Sequence, residues 1–175
     1  MDTINRIVRR IFAFGAGTSM ALVFLIIFVN SVRRYTIGKS LPWGEELPIY
    51  LTIYGVMFGL AYAYMTDRHI RFTVLTDMLS AKTRQLLFLI TDVITLICGL
   101  ALIQSGYQFM MRRGDRDSSG LKKTADWIAD STGIVQLEWI GKVGPWQFAI
   151  ALGGAMLAVA ALLRLIERAA ELKEA

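Results

Sequence analysis

Few residues of this chain are of a type that could do chemistry. Asp92 is the lone carboxylate inside a long apolar stretch, His69 is the only histidine and Cys98 is the only cysteine. An acid within a membrane is by default a candidate for proton or sodium binding. Even with the hydroxyls of Thr91 and Thr95, however, Asp92 supplies fewer ligands than a sodium site generally needs. Asp92 is thus a possible intramembrane polar site. The favoured alternative is that it reaches the membrane interface or pairs with a basic residue, because it lies near one end of its stretch.

The sequence contains none of the common catalytic or cofactor patterns. No Ser/His/Asp triad can be assembled inside the apolar stretches, and no Gly-rich phosphate loop occurs. One Cys and one His cannot form a zinc site of the usual kind, and a single His excludes bis-histidine haem. We therefore expect no enzyme activity, no bound metal and no cofactor.

The elements that must position these residues are long and apolar. Hydrophobic types make up 55% of the 175 residues, charged types only 19%, and the mean hydropathy is +0.49, a balance that excludes an ordinary soluble domain. Nearly uncharged stretches cover residues 11–32, 47–66, 86–111 and 143–163. Each is close to the roughly 20 residues with which an α-helix crosses about 30 Å of hydrocarbon. The sequence predicts an all-α integral membrane protein with a single four-helix domain over residues 1–175.

Two of the connections between the predicted spans are amphipathic. Residues 67–85 place apolar side chains at helical spacing opposite charged ones, as an interfacial helix does. In residues 117–131, Asp117 or Ser118 is a candidate N-cap for a second short helix. The apolar side of that helix would consist of Leu121, Thr124, Ala125 and Ile128. We expect both short helices to lie on the membrane surface.

The charges place the chain in a membrane but do not orient it. The net charge of +5 arises from basic residues that flank the apolar stretches, so lipid and not nucleic acid is the expected partner. Lys and Arg divide almost equally between the two sides, and the positive-inside rule is therefore undecided. The first span is longer than a signal-peptide core, and we expect it to be retained as an anchor. The tryptophans all fall on one side, which indicates an aromatic belt or a protein-docking surface. They are Trp43, Trp127, Trp139 and Trp146.

The second span carries small residues at successive four-residue steps. Gly55, Gly59 and Ala63 form this stripe, which allows another helix to approach closely where lipid gives no hydrophobic drive. Packing within the four-helix domain is the favoured interpretation, and contact with a partner subunit is the alternative. Gly154 and Ala158 repeat the spacing more weakly in the last span.

A series of short motifs resembles one transporter family. The series is Arg34-Tyr35, Gly38, Leu41-Pro42-Trp43-Gly44-Glu45-Glu46-Leu47, Gly59-Leu60-Ala61 with Ala63, and His69-Ile70. In order and spacing it resembles the small, DctQ-type membrane subunit of tripartite ATP-independent periplasmic (TRAP) transporters. One departure is that Arg71, Phe72 and Thr73 follow where relatives often have a Val-Asp-like pair.

The resemblance implies a role in transport and a set of partners. It implies a non-catalytic, multi-pass subunit in a bacterial or archaeal inner membrane, with both termini in the cytoplasm. In such systems the small subunit packs against a large membrane subunit and enlarges its scaffold, and it can help to receive a periplasmic solute-binding protein. An ion gradient, generally of sodium, drives uptake of organic anions such as carboxylates. The alternative function is a stand-alone homo-oligomeric channel or small carrier, with Asp92 of several copies forming a ring.

The motif that opens the second span also has a plain physical interpretation. Glu45 and Glu46 are acids at a helix N-terminus, where they are favoured electrostatically, and Trp43 suits the headgroup region. Capping and anchoring are therefore as reasonable a role as direct partner contact. We expect Arg34 to pair with Glu45 or Glu46 across the connection and to fix how the first two helices join.

Overall fold

The computed structural model describes residues 2–66 and 80–174, and this part of the chain is helical without strands. Its elements are α1 (Asp2–Ile37), α2 (Glu46–Met65), α3 (Ala81–Arg113), α4 (Lys122–Thr132), a 3-10 helix (Val135–Gly141) and α5 (Gly144–Glu174). Helices α1, α2, α3 and α5 are long and apolar enough to cross a membrane. The predicted all-α fold class with four spanning helices is confirmed.

Three of the long helices extend beyond their predicted spans. At 1.5 Å per residue, α1, α3 and α5 are about 54, 50 and 46 Å long, whereas α2 is about 30 Å, the thickness of the hydrocarbon layer. Helix α3 begins after Ser80, whose Oγ accepts a hydrogen bond from the Thr83 amide. Residues 81–85 of the predicted interfacial segment thus belong to α3, and residues 67–79 of that segment lie outside the described residues.

The main helix contacts follow the spatial order α1, α2, α5, α3. Helices α2 and α5 are therefore the inner helices, and α1 and α3 are the outer ones. In the most apolar stretch of α5 half of the residues are buried, against 11% in both α1 and α3. The buried cluster where α1, α2 and α5 meet consists of Phe12, Ala61, Met65, Met156 and Ala160.

Helices α3 and α5 approach each other through glycines. A methyl group added to Gly106 would lie 2.5 Å from the amide nitrogen of Ala151, and one added to Gly99 would lie 2.8 Å from that of Ala158. From the α5 side, Gly154 meets the backbone of Ile103 in the same way. These backbones are in close contact, which is the arrangement that small residues permit in membranes.

The α1–α2 contact uses side chains in addition to small residues. Gly55 faces Ser19 and Met20, with 3.1 Å from its added methyl position to Ser19 Cβ. Gly59, the next member of the α2 stripe, has open space where its side chain would be. Within this stripe, Gly55 therefore packs against α1, whereas the side-chain position of Gly59 is not covered by any described residue.

Residues 114–143 fold back on themselves as a compact unit, which we call the cap. The Ser118 amide donates to the Gly141 carbonyl at 2.8 Å, and the Val143 amide donates to the Arg116 carbonyl at 2.9 Å. Helix α4 lies between these paired segments and ends at Gly133, whose φ of 70° is the left-handed conformation that favours glycine.

The cap defines one end of the domain. At this cap end α1 and α3 end and α2 and α5 begin, whereas at the opposite, terminus end α1 and α3 begin and α2 and α5 end. All four tryptophans lie in the elements of the cap end.

Candidate functional site at the two ends of the domain

Glu46, the first residue of α2, is the polar hub of the cap end. Its Oε2 accepts hydrogen bonds of 2.7 Å from the Ser118 hydroxyl and 2.7 Å from the Gly120 amide, and Ser119 Oγ lies 3.5 Å away. Its Oε1 accepts from the Tyr50 hydroxyl at 2.9 Å. Because these donors are uncharged and two belong to the cap, the carboxylate connects α2 to the cap without a counter-charge.

Close backbone packing brings Gly120 to this carboxylate. A methyl group on Gly120 would lie 2.4 Å from the Pro42 carbonyl oxygen and 3.0 Å from Glu46 Oε2. Ser118 also positions the start of α4, since its Oγ accepts from the Leu121 amide and its carbonyl oxygen accepts from the Lys122 amide. The short helix begins at Lys122 and not at 117, because residues 116–118 pair with residues 141–143 at the other end of the cap.

Trp43 contributes the apolar part of the same connection. Its half-buried side chain and Leu47 line a cavity of about 260 Å³ with the apolar side of α4. The cavity is completed by Leu121, Thr124, Ala125, Ile128, Leu137 and Ile140. The predicted side of the short helix thus faces the Trp43 region.

The first turn of α5 is also fixed at the cap end. The Tyr54 hydroxyl donates to the Pro145 carbonyl oxygen at 2.5 Å, and the Tyr50 ring stacks on Trp146 with centroids 5.3 Å apart. On α4, the hydrogen bond from Lys122 to Asp126 raises the pKa of that lysine. The cap end is therefore held by aromatic and hydrogen-bonded contacts between α2, α5 and the cap.

The expected ion pair of Arg34 with Glu45 or Glu46 is wrong. Glu46 faces the cap, and within residues 2–66 and 80–174 the Arg34 guanidinium makes no ion pair. It lies over the ring of the exposed Tyr35, with 5.8 Å to its centroid. The connection is instead fixed by Asn30, whose Oδ1 accepts from the Leu41 amide at 2.7 Å. Arg34 lies in the last turn of α1, where a cation is favoured by the helix dipole.

Asp92 is the polar hub of the terminus end and is fully buried. Its Oδ2 accepts from Arg168 Nη1 of α5 at 2.7 Å, and its Oδ1 accepts from the Tyr64 hydroxyl of α2 at 2.5 Å. Arg168 also donates to the Phe88 carbonyl oxygen at 3.2 Å and stacks over the Phe88 ring at 5.0 Å. Asp92 thus joins α2, α3 and α5.

A second polar contact at the terminus end includes α1. Asn5 Nδ2 donates to Glu167 Oε1, and Arg164 Nη1 donates to Glu167 Oε2 at 3.0 Å. These side chains, with Arg9 and Thr66, line a small polar cavity of about 110 Å³. All four long helices are therefore joined by polar groups at this end.

The carboxylates of both ends are bound by groups from other elements of the chain. Within residues 2–66 and 80–174, no group of three or more His, Cys, Asp or Glu side chains is placed to hold a metal ion. Both buried or half-buried carboxylate hubs are saturated by donors from their own chain. Each carboxylate therefore connects separate elements of the fold.

The predicted residues separate into distinct places. Trp43 and Glu46 meet at the cap, whereas Glu45 is exposed and faces α1. Ala63 is half-buried in α2. His69 and Ile70 lie outside the described residues.

Several residues of the site had no place in the prediction. The sequence indicates Ser118 only as a helix N-cap, and no pattern in it identifies Gly120, Tyr64 and Arg168 as partners of the two carboxylates. The packing role of Gly99 and Gly106 is also not among the predictions, although their seven-residue spacing puts both on one face of a helix. Periodicity could have found these glycines, but the partners of Glu46 and Asp92 are distant in sequence and need the fold.

The fold and its two polar hubs define a multi-pass membrane protein whose charged groups serve helix connection. A family model described as tripartite ATP-independent periplasmic transporters, DctQ component, matches residues 23–171. The chain belongs to this family, whose members are transporter components and not enzymes.

Individual relatives match about half of the chain. A Haemophilus influenzae protein named "Putative TRAP transporter small permease protein" is 31% identical over 93 residues, 53% of this chain and 58% of that protein. A second protein of that name and organism is 24% identical over 93 residues, 52% of this chain and 56% of that protein. The sialic acid TRAP transporter permease protein SiaT of Haemophilus influenzae is 26% identical over 90 residues, 51% of this chain and 15% of SiaT. The chain thus spans a little over half the length of the small permease relatives it matches.

Proposed function

We propose that this chain is the small, non-catalytic membrane subunit of a TRAP-type uptake transporter, and that it packs against the large membrane subunit and enlarges its scaffold. The observation that carries the proposal is the small buried share of the outer helices, 11% in the apolar stretches of α1 and α3. Apolar faces of this extent need lipid or partner helices around them. The match to SiaT, a permease of which the aligned segment is only 15%, supports a large permease as that partner.

The transport path and its driving ion belong to the partner in this proposal. The described residues offer no cluster for an ion, and both carboxylate hubs are occupied by internal donors. We assign the driving force to a sodium gradient and the cargo to organic anions such as carboxylates, in line with the family resemblance. The name of SiaT gives sialic acid, itself a carboxylate, as the solute of that protein.

The cap is the part of the chain we propose to face the periplasm and to help dock the solute-binding protein. Both termini would then lie in the cytoplasm of a bacterial or archaeal cell, at its inner membrane. Exposed aromatic and aliphatic side chains of the cap support contact with headgroups or protein, since Trp favours both settings. The most exposed are Trp127, Val135 and Trp139, at 69%, 67% and 57%.

Gly59 is our candidate for close contact with a helix of the large subunit. Its Cβ position is open, whereas Gly55 one turn earlier is covered by α1. Gly59→Leu should therefore reduce co-purification of the large subunit while leaving the fold intact. Gly17→Leu on α1, where the Cβ position is also open, is the matched control.

Co-purification tests the main proposal. The tagged chain is expressed with the large permease and solute-binding protein from its own genomic neighbourhood, extracted in mild detergent and analysed by mass spectrometry. We expect a stable one-to-one complex with the large permease, and reconstituted complex should take up a carboxylate only with a sodium gradient. Recovery of the chain only as a homo-oligomer would refute the subunit role.

Cysteine labelling tests the orientation separately. In a Cys98→Ser background, Asp130→Cys on the cap and Thr3→Cys on α1 place single thiols at opposite ends of the domain. We expect a membrane-impermeant maleimide to label only the Asp130→Cys variant in spheroplasts. Labelling of only the Thr3→Cys variant would reverse the proposed topology.

The alternative of a stand-alone channel finds no support in the position of Asp92. Its carboxylate is fully buried and bound by Arg168 and Tyr64 within one chain. A ring of Asp92 side chains from several copies would have to break both contacts. The structure therefore favours the subunit role.

A further inference from the structure

A groove runs between the second half of α1 and the first half of α2, with a volume of about 400 Å³. Its wall includes the apolar side chains of Val23, Ile27 and Ile49. At the cap end, the rim includes Arg34 of α1 and Glu45, which precedes α2. The groove is therefore mainly apolar, with the polar side chains of Asn30, Ser31 and Thr52 also in its lining, and it carries both signs of charge at one end.

Neither rim charge has an ionic partner within residues 2–66 and 80–174. The guanidinium of Arg34 lies near the ring of its neighbour Tyr35. Glu45 is exposed, and its side chain makes no N-capping hydrogen bond to α2. The adjacent Glu46, by contrast, is saturated by donors from the cap and from Tyr50. The two rim charges are thus available to a molecule that enters the groove.

The dimensions of the groove match one leaflet of a bilayer. Val23 and Arg34 are about 16 Å apart along α1, which is about half of the 30 Å hydrocarbon layer. An acyl chain that packs on Val23 and Ile27 would bring its headgroup to the level of the rim charges. Long Arg side chains near helix ends reach this interfacial level.

We propose that the α1–α2 groove binds a phospholipid with a primary amine headgroup. Arg34 binds the phosphate, Glu45 binds the ammonium group, and the apolar wall holds an acyl chain. Phosphatidylethanolamine has this pair of charges. Phosphatidylglycerol lacks the ammonium group and would leave Glu45 facing an anion, and the quaternary amine of phosphatidylcholine has no N–H to donate. The proposal needs only that the chain resides in a membrane, so it does not rest on the transporter role.

Native mass spectrometry of the full chain, reconstituted with equal amounts of phosphatidylethanolamine and phosphatidylglycerol, tests the headgroup contacts. The wild type should retain phosphatidylethanolamine preferentially, and Arg34→Gln should reduce the retained fraction about tenfold, the factor that one charge-assisted hydrogen bond carries. Glu45→Gln should abolish the preference while binding of both lipids persists. Arg33→Gln is the control, because it removes the adjacent positive charge but does not line the groove.

A steric variant tests the groove itself. Ile27→Trp fills the apolar wall without touching the rim charges and should lower lipid retention as much as Arg34→Gln does. Size-exclusion profiles and thermal midpoints verify that all variants are folded. Equal retention by Arg34→Gln and Arg33→Gln, or full retention by Ile27→Trp, would overturn the proposal.

Photo-crosslinking in native membranes distinguishes lipid from protein as the occupant. A benzophenone amino acid replaces Ile49, a groove residue that is 61% exposed. We expect adducts with the mass of a phospholipid. Adducts with a helix of another protein would overturn the proposal and assign the groove to a partner subunit.

Discussion

The two ends of the domain use a carboxylate in opposite ways. At the terminus end, Asp92 is fully buried and is bound by a charged partner, Arg168. At the cap end, Glu46 is half-buried and is bound by hydroxyl and amide donors from Tyr50 and the cap. One hub joins three spanning helices to one another, and the other joins a spanning helix to a structure outside the spans.

The difference follows from what each end must hold. Within a span, a lone carboxylate is costly, so a buried arginine and a tyrosine must both compensate it. Near the membrane surface, water and uncharged hydrogen-bond donors are enough to stabilise a carboxylate. The helix dipole also favours a carboxylate at a helix N-terminus. We therefore expect variants of the terminus end to destabilise the whole domain and variants of the cap end to act locally.

The largest effect is expected from Arg168→Ala. The variant leaves the buried Asp92 carboxylate without its counter-charge, and breaking a buried pair in this way costs about 3–5 kcal/mol. The thermal unfolding midpoint in detergent should fall for the whole domain. Lys123→Ala, which removes an exposed cation of the cap, is the control and should leave the midpoint unchanged.

A double variant shows whether charge is the cause. Asp92→Leu combined with Arg168→Leu removes both charges, and apolar replacement of a buried pair is often neutral. Most of the lost stability should therefore return. A double variant as unstable as Arg168→Ala would mean that the packing of Arg168 on Phe88 matters more than the ion pair.

The next largest effect is expected from Glu46→Ala, and it should be local. The buried Ser118 hydroxyl and the Gly120 amide lose their acceptor, at a cost of about 3 kcal/mol. Amide hydrogen exchange in residues 114–143 should accelerate roughly a hundredfold, while exchange in the buried part of α5 stays unchanged.

The neighbouring acid supplies a matched control for this experiment. Glu45→Ala removes the same charge one residue earlier, but Glu45 makes no hydrogen bond to the cap within the described residues. Exchange of the cap should then equal that of the wild type. If both variants loosen the cap equally, the helix N-terminal charge and not the Glu46 contacts holds it.

Sequence patterns predicted the spans because a continuous apolar run of about 20 residues crosses a bilayer as an α-helix. Backbone groups without water must bond internally, so length and hydropathy define α1, α2, α3 and α5. The apolar side of the cap helix was also readable from its period of 3.6 residues. The helix ends could not be predicted in this way, since α1 and α3 continue past the apolar runs into polar and charged residues.

The partners of the polar residues could not be read from the sequence. The expected partner of Arg34 is Glu45 or Glu46, across the connection between the first two helices, but Glu46 binds Ser118 and Gly120, more than 70 positions later. The antiparallel order of the helices decides which distant residues reach a carboxylate. For Asp92, position near the end of a span favoured either contact with the membrane interface or pairing with a basic residue. Only the fold shows that it is buried and that Arg168 is its partner.

A smaller effect is expected from Ser118→Ala. The substitution removes the hydrogen bond to the charged Glu46 acceptor, worth about 1.5 kcal/mol, together with the longer one that Ser118 Oγ accepts from the Leu121 amide. It leaves the Gly120 contact in place. Exchange of the cap should rise about tenfold. Ser119→Ala is the control, because Ser119 is exposed and its Oγ is 3.5 Å from Glu46. Equal acceleration by both variants would show that a serine side chain here contributes only to loop conformation.

The smallest effect is expected from the ion pair at the mouth of the cap. Lys142 Nζ lies 3.0 Å from Asp115 Oδ1, but the Asp115 side chain is 97% exposed. A pair in water contributes less than about 0.5 kcal/mol and is screened by salt, so Lys142→Ala should change cap exchange less than threefold and not at all in high salt. The backbone bond from the Lys142 amide to the Trp139 carbonyl remains in the variant. A large, salt-sensitive acceleration would mean that a surface ion pair holds the cap closed. The contrast between a cap end held by uncharged donors and a terminus end held by a buried ion pair would then be wrong.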